Sequence, residues 1–269
     1  MRFIDYHIHT NHSQDAERSC TLNKAIEAAI LHGIEEICIT DHYEPNGFTC
    51  VPDLVKFFED YNKAEYLYHD KITMRAGIEL GNPWECPEHC HEIINSLPFD
   101  FVLGSVHNIP ECFTKIDFTK VDRKDFMKRY FECIHKLLDF GNFDVLAHID
   151  LPKRYFHMAG LSWDIYEENL AELNEVLLRL LEMDKGLEVN LSGLRSTLGK
   201  PMPDVNVLKM WHHIGGRKIT VGSDSHASDD VGKFVEDGLD LIAECGFYNI
   251  ATFEKREVIF QPIEFKEYV

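Results

Sequence analysis

Seven short apolar runs, alternating with helix-patterned stretches, constrain the fold of this chain more than any other feature. They fall at residues 3–9, 35–42, 72–79, 100–107, 143–148, 187–193 and 218–226. The stretches between them have helical spacing. Residues 21–31 place Leu22, Ala25, Ile26, Ala29 and Ile30 on one face, with Gly33 just beyond as a C-terminal cap. Residues 161–183 repeat Leu170, Leu173, Val176, Leu177, Leu180 and Leu181 in the same way, with Asp164 and Glu167 placed as a capping box. Residues 126–140 and 234–245 behave similarly. Such alternation predicts parallel strands joined by helical crossovers.

The ends of these runs narrow the architecture further. Six of the seven finish in His, Asp or Glu: His7 and His9, Asp41-His42, Glu79, His107, His148, and Asp224 with His226. The sixth run, which passes Asn190 into Leu191-Ser192-Gly193, has no titratable group at its end. Residues two apart on a strand share a face, so His7 and His9 can reach one ion, and Asp224 and His226 repeat that arrangement. An open sheet would spread such groups along a line, whereas a closed barrel converges them on one mouth. We therefore expect an α/β fold: a closed or nearly closed, TIM-barrel-like β/α barrel of about seven units. No linker or low-complexity tract divides the 269 residues, so residues 1–269 read as one domain.

The candidate ligands are imidazoles and carboxylates, with no thiolate. That set suits Zn, Mn or Fe in a centre that performs chemistry, because closed structural zinc sites lean on cysteine. There are too many groups for one ion, so two to three divalent metal ions are expected, with a carboxylate such as Glu79 able to bridge a pair. Ions roughly 3.5–4 Å apart can hold a hydroxide between them and clamp the oxygens of a phosphoryl displacement. Metal-assisted hydrolysis of a phosphate ester is the reaction class this favours. Cys86-Pro87-Glu88-His89-Cys90-His91 lacks a second ligand pair at zinc-finger spacing and reads as a surface helix that starts at Pro87. His32, His69, His135, His157, His212 and His213 read as structural or exposed.

A formal net charge of −19 argues against binding nucleic acid or an anionic membrane. It is compatible with a locally positive pocket, since bound cations can be the largest charges in a site. The eight cysteines are scattered singly, which suits a reducing compartment. The first strand begins within a few residues of the amino terminus, leaving no room for a signal peptide. No apolar stretch approaches the ~18 residues of a membrane span. These features predict a soluble, cytoplasmic protein.

Together these residues resemble the polymerase-and-histidinol-phosphatase (PHP) family, and within it the histidinol-phosphatase branch, over nearly the whole chain. The family pattern is HxH after the first strand, Glu after the third, single histidines after the fourth and fifth, and DxH after the seventh. His7/His9, Glu79, His107, His148 and Asp224/His226 match it. Residues 219–226 followed by Asp230-Val231-Gly232, Leu191-Ser192-Gly193-Leu194-Arg195, and residues 148–155 are similar to the phosphatase branch in particular. The resemblance implies a distorted seven-stranded (β/α)7 barrel, PHP-type and TIM-barrel-like, with three metals. The first would take His7, His9, Glu79 and Asp224; the second would share Glu79 and add His107 and His148. The third would use His42, His226 and one residue from the loop after His9. Many members carry a histidine there, and counting along the loop places Asp15 at that position. His12 lies nearby at a spacing that fits less well.

The implied reaction is hydrolysis of L-histidinol phosphate to L-histidinol and phosphate, a step of histidine biosynthesis, by a metal-bridging hydroxide. The partner would be a small-molecule phosphate monoester. Arg154 and Arg195 follow the fifth and sixth runs, where the barrel mouth should lie, and a guanidinium presents paired donors that match phosphate. A PHP-type phosphoesterase acting on nucleotides or other small phosphate esters is the alternative. Against it, the chain shows no basic stripe and no aromatic platform for nucleic acid. A barrel that binds metal but has lost activity would lack a ligand, and each position here has a plausible residue. An amidohydrolase-like barrel would need a carboxylated lysine at a strand end, and none of the seven runs ends in lysine.

Overall fold

The computed structural model describes residues 2–45 and 51–263. Seven parallel strands form the barrel: β1 (Ile4–Ile8), β2 (Glu36–Ile39), β3 (Thr73–Gly81), β4 (Phe101–Ser105), β5 (Val145–Leu146), β6 (Gly186–Asn190) and β7 (Ile219–Gly222). They pair in chain order, each parallel to the next. Beyond the end of β7 the circle closes onto β1: the Asp224 N–H donates to the His7 carbonyl at 2.7 Å, and the His9 N–H to the Ser225 carbonyl at 2.9 Å. The sequence expectation of a nearly closed seven-stranded barrel therefore holds. Most strand residues are buried on both faces, as crossover helices on the outside require.

The helices are α1 (Leu22–Leu31), α2 (Leu54–Tyr68), α3 (Pro87–Ser96), α4 (Arg123–Phe140), α5 (Pro152–Met158), α6 (Leu170–Glu182), α7 (Val205–His213) and α8 (Val235–Glu244). Local chemistry sets their ends. Thr21, Asp53 and Asp122 cap α1, α2 and α4, each side chain accepting a backbone N–H of the first turn. Gly33 (φ +73°) and Gly141 (φ +70°) turn the chain out of α1 and α4 in the left-handed region. The stretch expected as one helix over 161–183 is two pieces, Ile165–Glu168 and then α6, broken at Asn169. Asp164 caps the first piece through the Tyr166 and Glu167 N–H groups, so it acts as a simple cap, without the reciprocal capping box. None of the described helices is long and apolar enough to cross a membrane.

The patterning did not announce a C-terminal antiparallel hairpin, β8 (Asn249–Glu254) and β9 (Glu257–Pro262). It covers the amino-terminal end of the barrel. The Phe253 N–H donates to the Tyr6 hydroxyl at 2.9 Å, and that hydroxyl donates to Glu36 at 2.6 Å. The Lys255 N–H and Arg256 side chain reach Asp100 and Asp144, just ahead of β4 and β5. Phe101 packs its ring against both Tyr6 and Phe253. One end of the barrel is thus braced shut, and the cavity opens at the carboxyl ends of the strands.

Candidate metal centre

Glu79, fully buried near the end of β3, organises the centre. Its Oε1 lies 3.0 Å from His148 Nε2 and 3.2 Å from His107 Nε2, and accepts the Ser105 hydroxyl at 2.6 Å. Its Oε2 lies 2.8 Å from His42 Nδ1, 3.3 Å from His7 Nε2 and 3.5 Å from His9 Nε2. Five histidines from four strand ends therefore face one carboxylate. Asp224, which adopts a positive φ of 53° after β7, brings Oδ1 to 3.4 Å from His9 Nε2 and 3.7 Å from His7 Nε2.

The loop after β1 is drawn onto the end of β2 by Asp41. That carboxylate accepts the Thr10 N–H and hydroxyl, both at 2.7 Å, and the Ser13 N–H and hydroxyl. The same fold of the loop carries Asp15 inward. Asp15 Oδ2 sits 3.3 Å from both His42 Nε2 and His226 Nε2. His12 turns away, its ring edge-on to Phe57 and its Nε2 3.5 Å from Asp60. Of the two loop residues weighed from the sequence, Asp15 is the one beside His42 and His226.

The donor atoms fit cations. His7 Nδ1 is held by Glu188 Oε1 and His107 Nδ1 by Glu44 Oε1, each at 2.5 Å. Their Nε2 atoms are left facing inward, the arrangement by which carboxylates orient metal-binding imidazoles. His7 Nε2 and His9 Nε2 converge to 3.0 Å, and His107 Nε2 and His148 Nε2 to 3.4 Å. Glu79 Oε2 and His42 Nδ1 are buried without a hydrogen bond despite their proximity. Among the described residues, three groups have donor atoms close enough to share an ion: His7 with His9 and Asp224; His42 with Glu79 and His107; and His9 with His42 and His226. The Cys86–His91 segment contributes to no such group among the described residues; His89 instead meets the Tyr43 hydroxyl at 2.7 Å.

Electrostatics within the protein are as strongly perturbed as this geometry demands. Burial works against charge on His7, but Glu188, Glu79 and Asp224 outweigh it and hold its pKa well above the ordinary imidazole range. His107 is likewise opposed by burial yet raised to about 10 by Glu79 and Glu44. His9 moves the other way, lowered by burial and by the neighbouring His42 and His226. Burial would raise Glu79 and Asp224, but the surrounding histidines keep both well below the usual carboxylate range. Groups pushed apart in this way within one cleft mark a functional centre.

The cavity above these residues measures about 230 Å³ and is walled by Arg154, Tyr155, Leu151, Phe113 and the loop around Cys112 and Thr114. Arg154 reaches it from α5, donating to Ser192 Oγ at 3.0 Å and lying 4.0 Å from Asp224 Oδ2. Arg195 is oriented differently. Its guanidinium donates to the Ser223 carbonyl at 2.6 Å and the Asp224 carbonyl at 2.8 Å, with Asp230 at 3.4 Å, and it does not line the cavity. Sequence reasoning missed Glu188, Asn190 and Glu44. The signal for Glu188 and Asn190 was a pair of polar residues two apart in an otherwise apolar strand. For Glu44 it was a spacing of two from His42.

Comparison with known proteins agrees with the geometry. A family model described as the PHP domain matches residues 5–192. A histidinol-phosphatase of Lactococcus lactis is 30% identical, the match covering 96% of this chain and 97% of that protein. A probable histidinol-phosphatase of Thermotoga maritima is 29% identical over 95% of this chain and 97% of that one. Among solved structures, histidinol phosphate phosphatase from Lactococcus lactis, complexed with zinc, L-histidinol and phosphate, superposes with a TM-score of 0.83 at 27% identity. That superposition covers 96% of this chain and 99% of the other.

Proposed function

The chain belongs to the PHP domain family, and from that premise we propose that it is a metal-dependent histidinol-phosphatase. It hydrolyses the monoester L-histidinol phosphate to L-histidinol and phosphate. One observation carries the reading: eight side chains drawn from five strand ends and one loop meet around Glu79 at the mouth of a small cavity. A similar protein in that fold holds zinc, L-histidinol and phosphate together.

In this reading His7, His9, Glu79 and Asp224 hold one divalent ion, and Glu79, His107 and His148 a second. His42, His226 and Asp15 hold a third. Zn, Mn and Fe all suit the set. When bound, such ions polarise the phosphoryl group and generate a nucleophile from water at neutral pH. The protein's own part is to place that chemistry. Glu188 and Glu44 fix the His7 and His107 tautomers, and Ser105 fixes the rotamer of Glu79. Arg154 presents a permanently charged fork to the phosphate. Arg195, expected from the sequence to do the same, serves first to clamp the loop that bears Asp224 and can offer phosphate only its remaining N–H groups. Residues 1–269 act as one catalytic domain in the cytoplasm, with no nucleic-acid partner; the described cysteines form no disulfide.

The test is a phosphate-release screen of the metal-loaded protein against histidinol phosphate, nucleoside monophosphates and a bis-p-nitrophenyl diester. Histidinol phosphate should lead in kcat/KM by at least tenfold, or ~1.4 kcal/mol of transition-state discrimination. A tenfold preference for a nucleotide would transfer the chain to the alternative phosphoesterase reading.

A further inference from the structure

The sixth strand, alone among the seven, ends without a titratable ligand. We propose that it supplies a positioning residue instead. Glu188 couples the sites built on His7 and on His148, so that these two gain or lose their ions together while the site of Asp15, His42 and His226 behaves independently. The inference rests on the metal reading given above.

Glu188 is buried in the middle of β6, and its two oxygens have different partners. Oε1 accepts from His7 Nδ1 at 2.5 Å, and Oε2 accepts the His148 backbone N–H at 2.9 Å. The first contact fixes the His7 tautomer, leaving the Nε2 lone pair to face inward. The second steadies a backbone that needs support, since His148 is not glycine yet has a φ of +21°. Asn190, two residues on and on the same face, locks the carboxylate from the other side. Its Nδ2 lies 3.2 Å from Glu188 Oε2 and 3.3 Å from Asp224 Oδ2, while its Oδ1 accepts the Ser192 hydroxyl at 2.6 Å. On the neighbouring strand Gly222 makes room: a Cβ there would meet Glu188 Oε1 at 2.8 Å and press on the His7 side chain.

A single rigid carboxylate therefore sets the direction of a ligand in the first site and the backbone of a ligand in the second. Rotating it to suit one partner removes it from the other, which is how two sites come to share a coupling free energy. No contact of Glu188 reaches Asp15, His42 or His226. Those residues are positioned by the Asp41-braced loop and by the turn after β7.

The experiment measures zinc per chain by elemental analysis after equilibration in a graded series of zinc buffers, with folding followed by circular dichroism. Wild type should fill to three ions. In Glu188→Gln, two of them should require on the order of 10- to 100-fold more free zinc, the range typical when a carboxylate behind a ligand is removed, and the third should keep its wild-type affinity. His226→Asn, as the converse control, should weaken one ion and leave two. If the glutamine variant fails to fold, Glu188→Asp replaces it. It keeps the charge but is one methylene too short to reach both partners, so the same paired loss is expected. Three ions held with wild-type affinity in a folded Glu188 variant would overturn the coupling alone, as would equal weakening of all three. A folded wild type that holds fewer than two ions would overturn the metal reading, and the inference with it.

Discussion

Replacing Arg154 with alanine separates phosphate recognition from metal chemistry. The guanidinium sits at the cavity wall, about three-quarters shielded from solvent, with Ser192, Tyr155 and Asp224 as its polar neighbours. Burial disfavours its charge, but Tyr155 and Asp224 overcome this and raise its pKa further, so it stays a cation at the cavity wall. Truncation removes charge-assisted hydrogen bonds worth ~1.5–3 kcal/mol, so kcat/KM for histidinol phosphate should fall roughly 10- to 150-fold. The scaffold should survive, because Ser192 keeps its bond to Asn190 and no backbone group depends on Arg154's side chain. Lysine should restore only part of the loss, since a point charge lacks the planar fork. Steady-state kinetics with parallel elemental analysis make the assay. Arg154→Ala with full metal content and kinetics within twofold of wild type would refute the reasoning. Arg195→Ala provides the contrast: it releases the carbonyls of Ser223 and Asp224, so its metal content should fall along with its rate.

Two further outcomes concern the scaffold. Asp150, buried and without a hydrogen bond to either oxygen, is raised to about 7 by burial, which Lys153 only partly offsets and Asp204 reinforces. The unfolded carboxyl ionises near 3.8 and the folded one near 7, so ionisation across that window favours unfolding. Asp150→Asn should therefore raise Tm relative to wild type at pH 8 and not at pH 4; an equal effect at both would show that the charge is not the cause. Tyr6→Phe removes the hydroxyl that links Glu36 to Phe253, and should cost about 1–3 kcal/mol in denaturant unfolding by loosening the hairpin from the barrel floor. An unchanged unfolding curve would mean that β8 and β9 do not brace the fold.

Much of this centre was legible in the sequence, for a reason that also explains what was hidden. A ligand at a strand end announces itself because an apolar run stops at it, and the period of two then says which neighbours share its face. His7, His9, Glu79, His107, His148, Asp224 and His226 were all visible in that way. Glu188 was not, because a charge in mid-strand looks like noise until β5 and β7 flank it and fix the direction of its face. Arg154 and Arg195 gave the same signal, both lying a few residues past a run. Their placements diverge because Arg195 sits at the end of the short helical turn Ser192–Arg195, from which it reaches the backbone after β7. The hairpin turns at Lys255-Arg256, both with positive φ, without the Asn-Gly or Asp-Gly pair that usually marks such a turn.

The acidity of the chain, at first sight at odds with a phosphate substrate, follows from the same arrangement. Asp15, Glu44, Glu79 and Asp224 face the cavity, with Glu188 behind His7, and Arg154 is the arginine on its wall. Left to these side chains, the mouth would rely on charged histidines and one guanidinium to attract a dianion. Divalent ions held by these carboxylates and imidazoles would reverse that balance, because each would bring two positive charges. Attraction for phosphate is then a property of the loaded centre rather than of the polypeptide. An acidic surface can keep nucleic acids away from a site that is locally cationic, and the same carboxylates that make the chain acidic are what gather the cations.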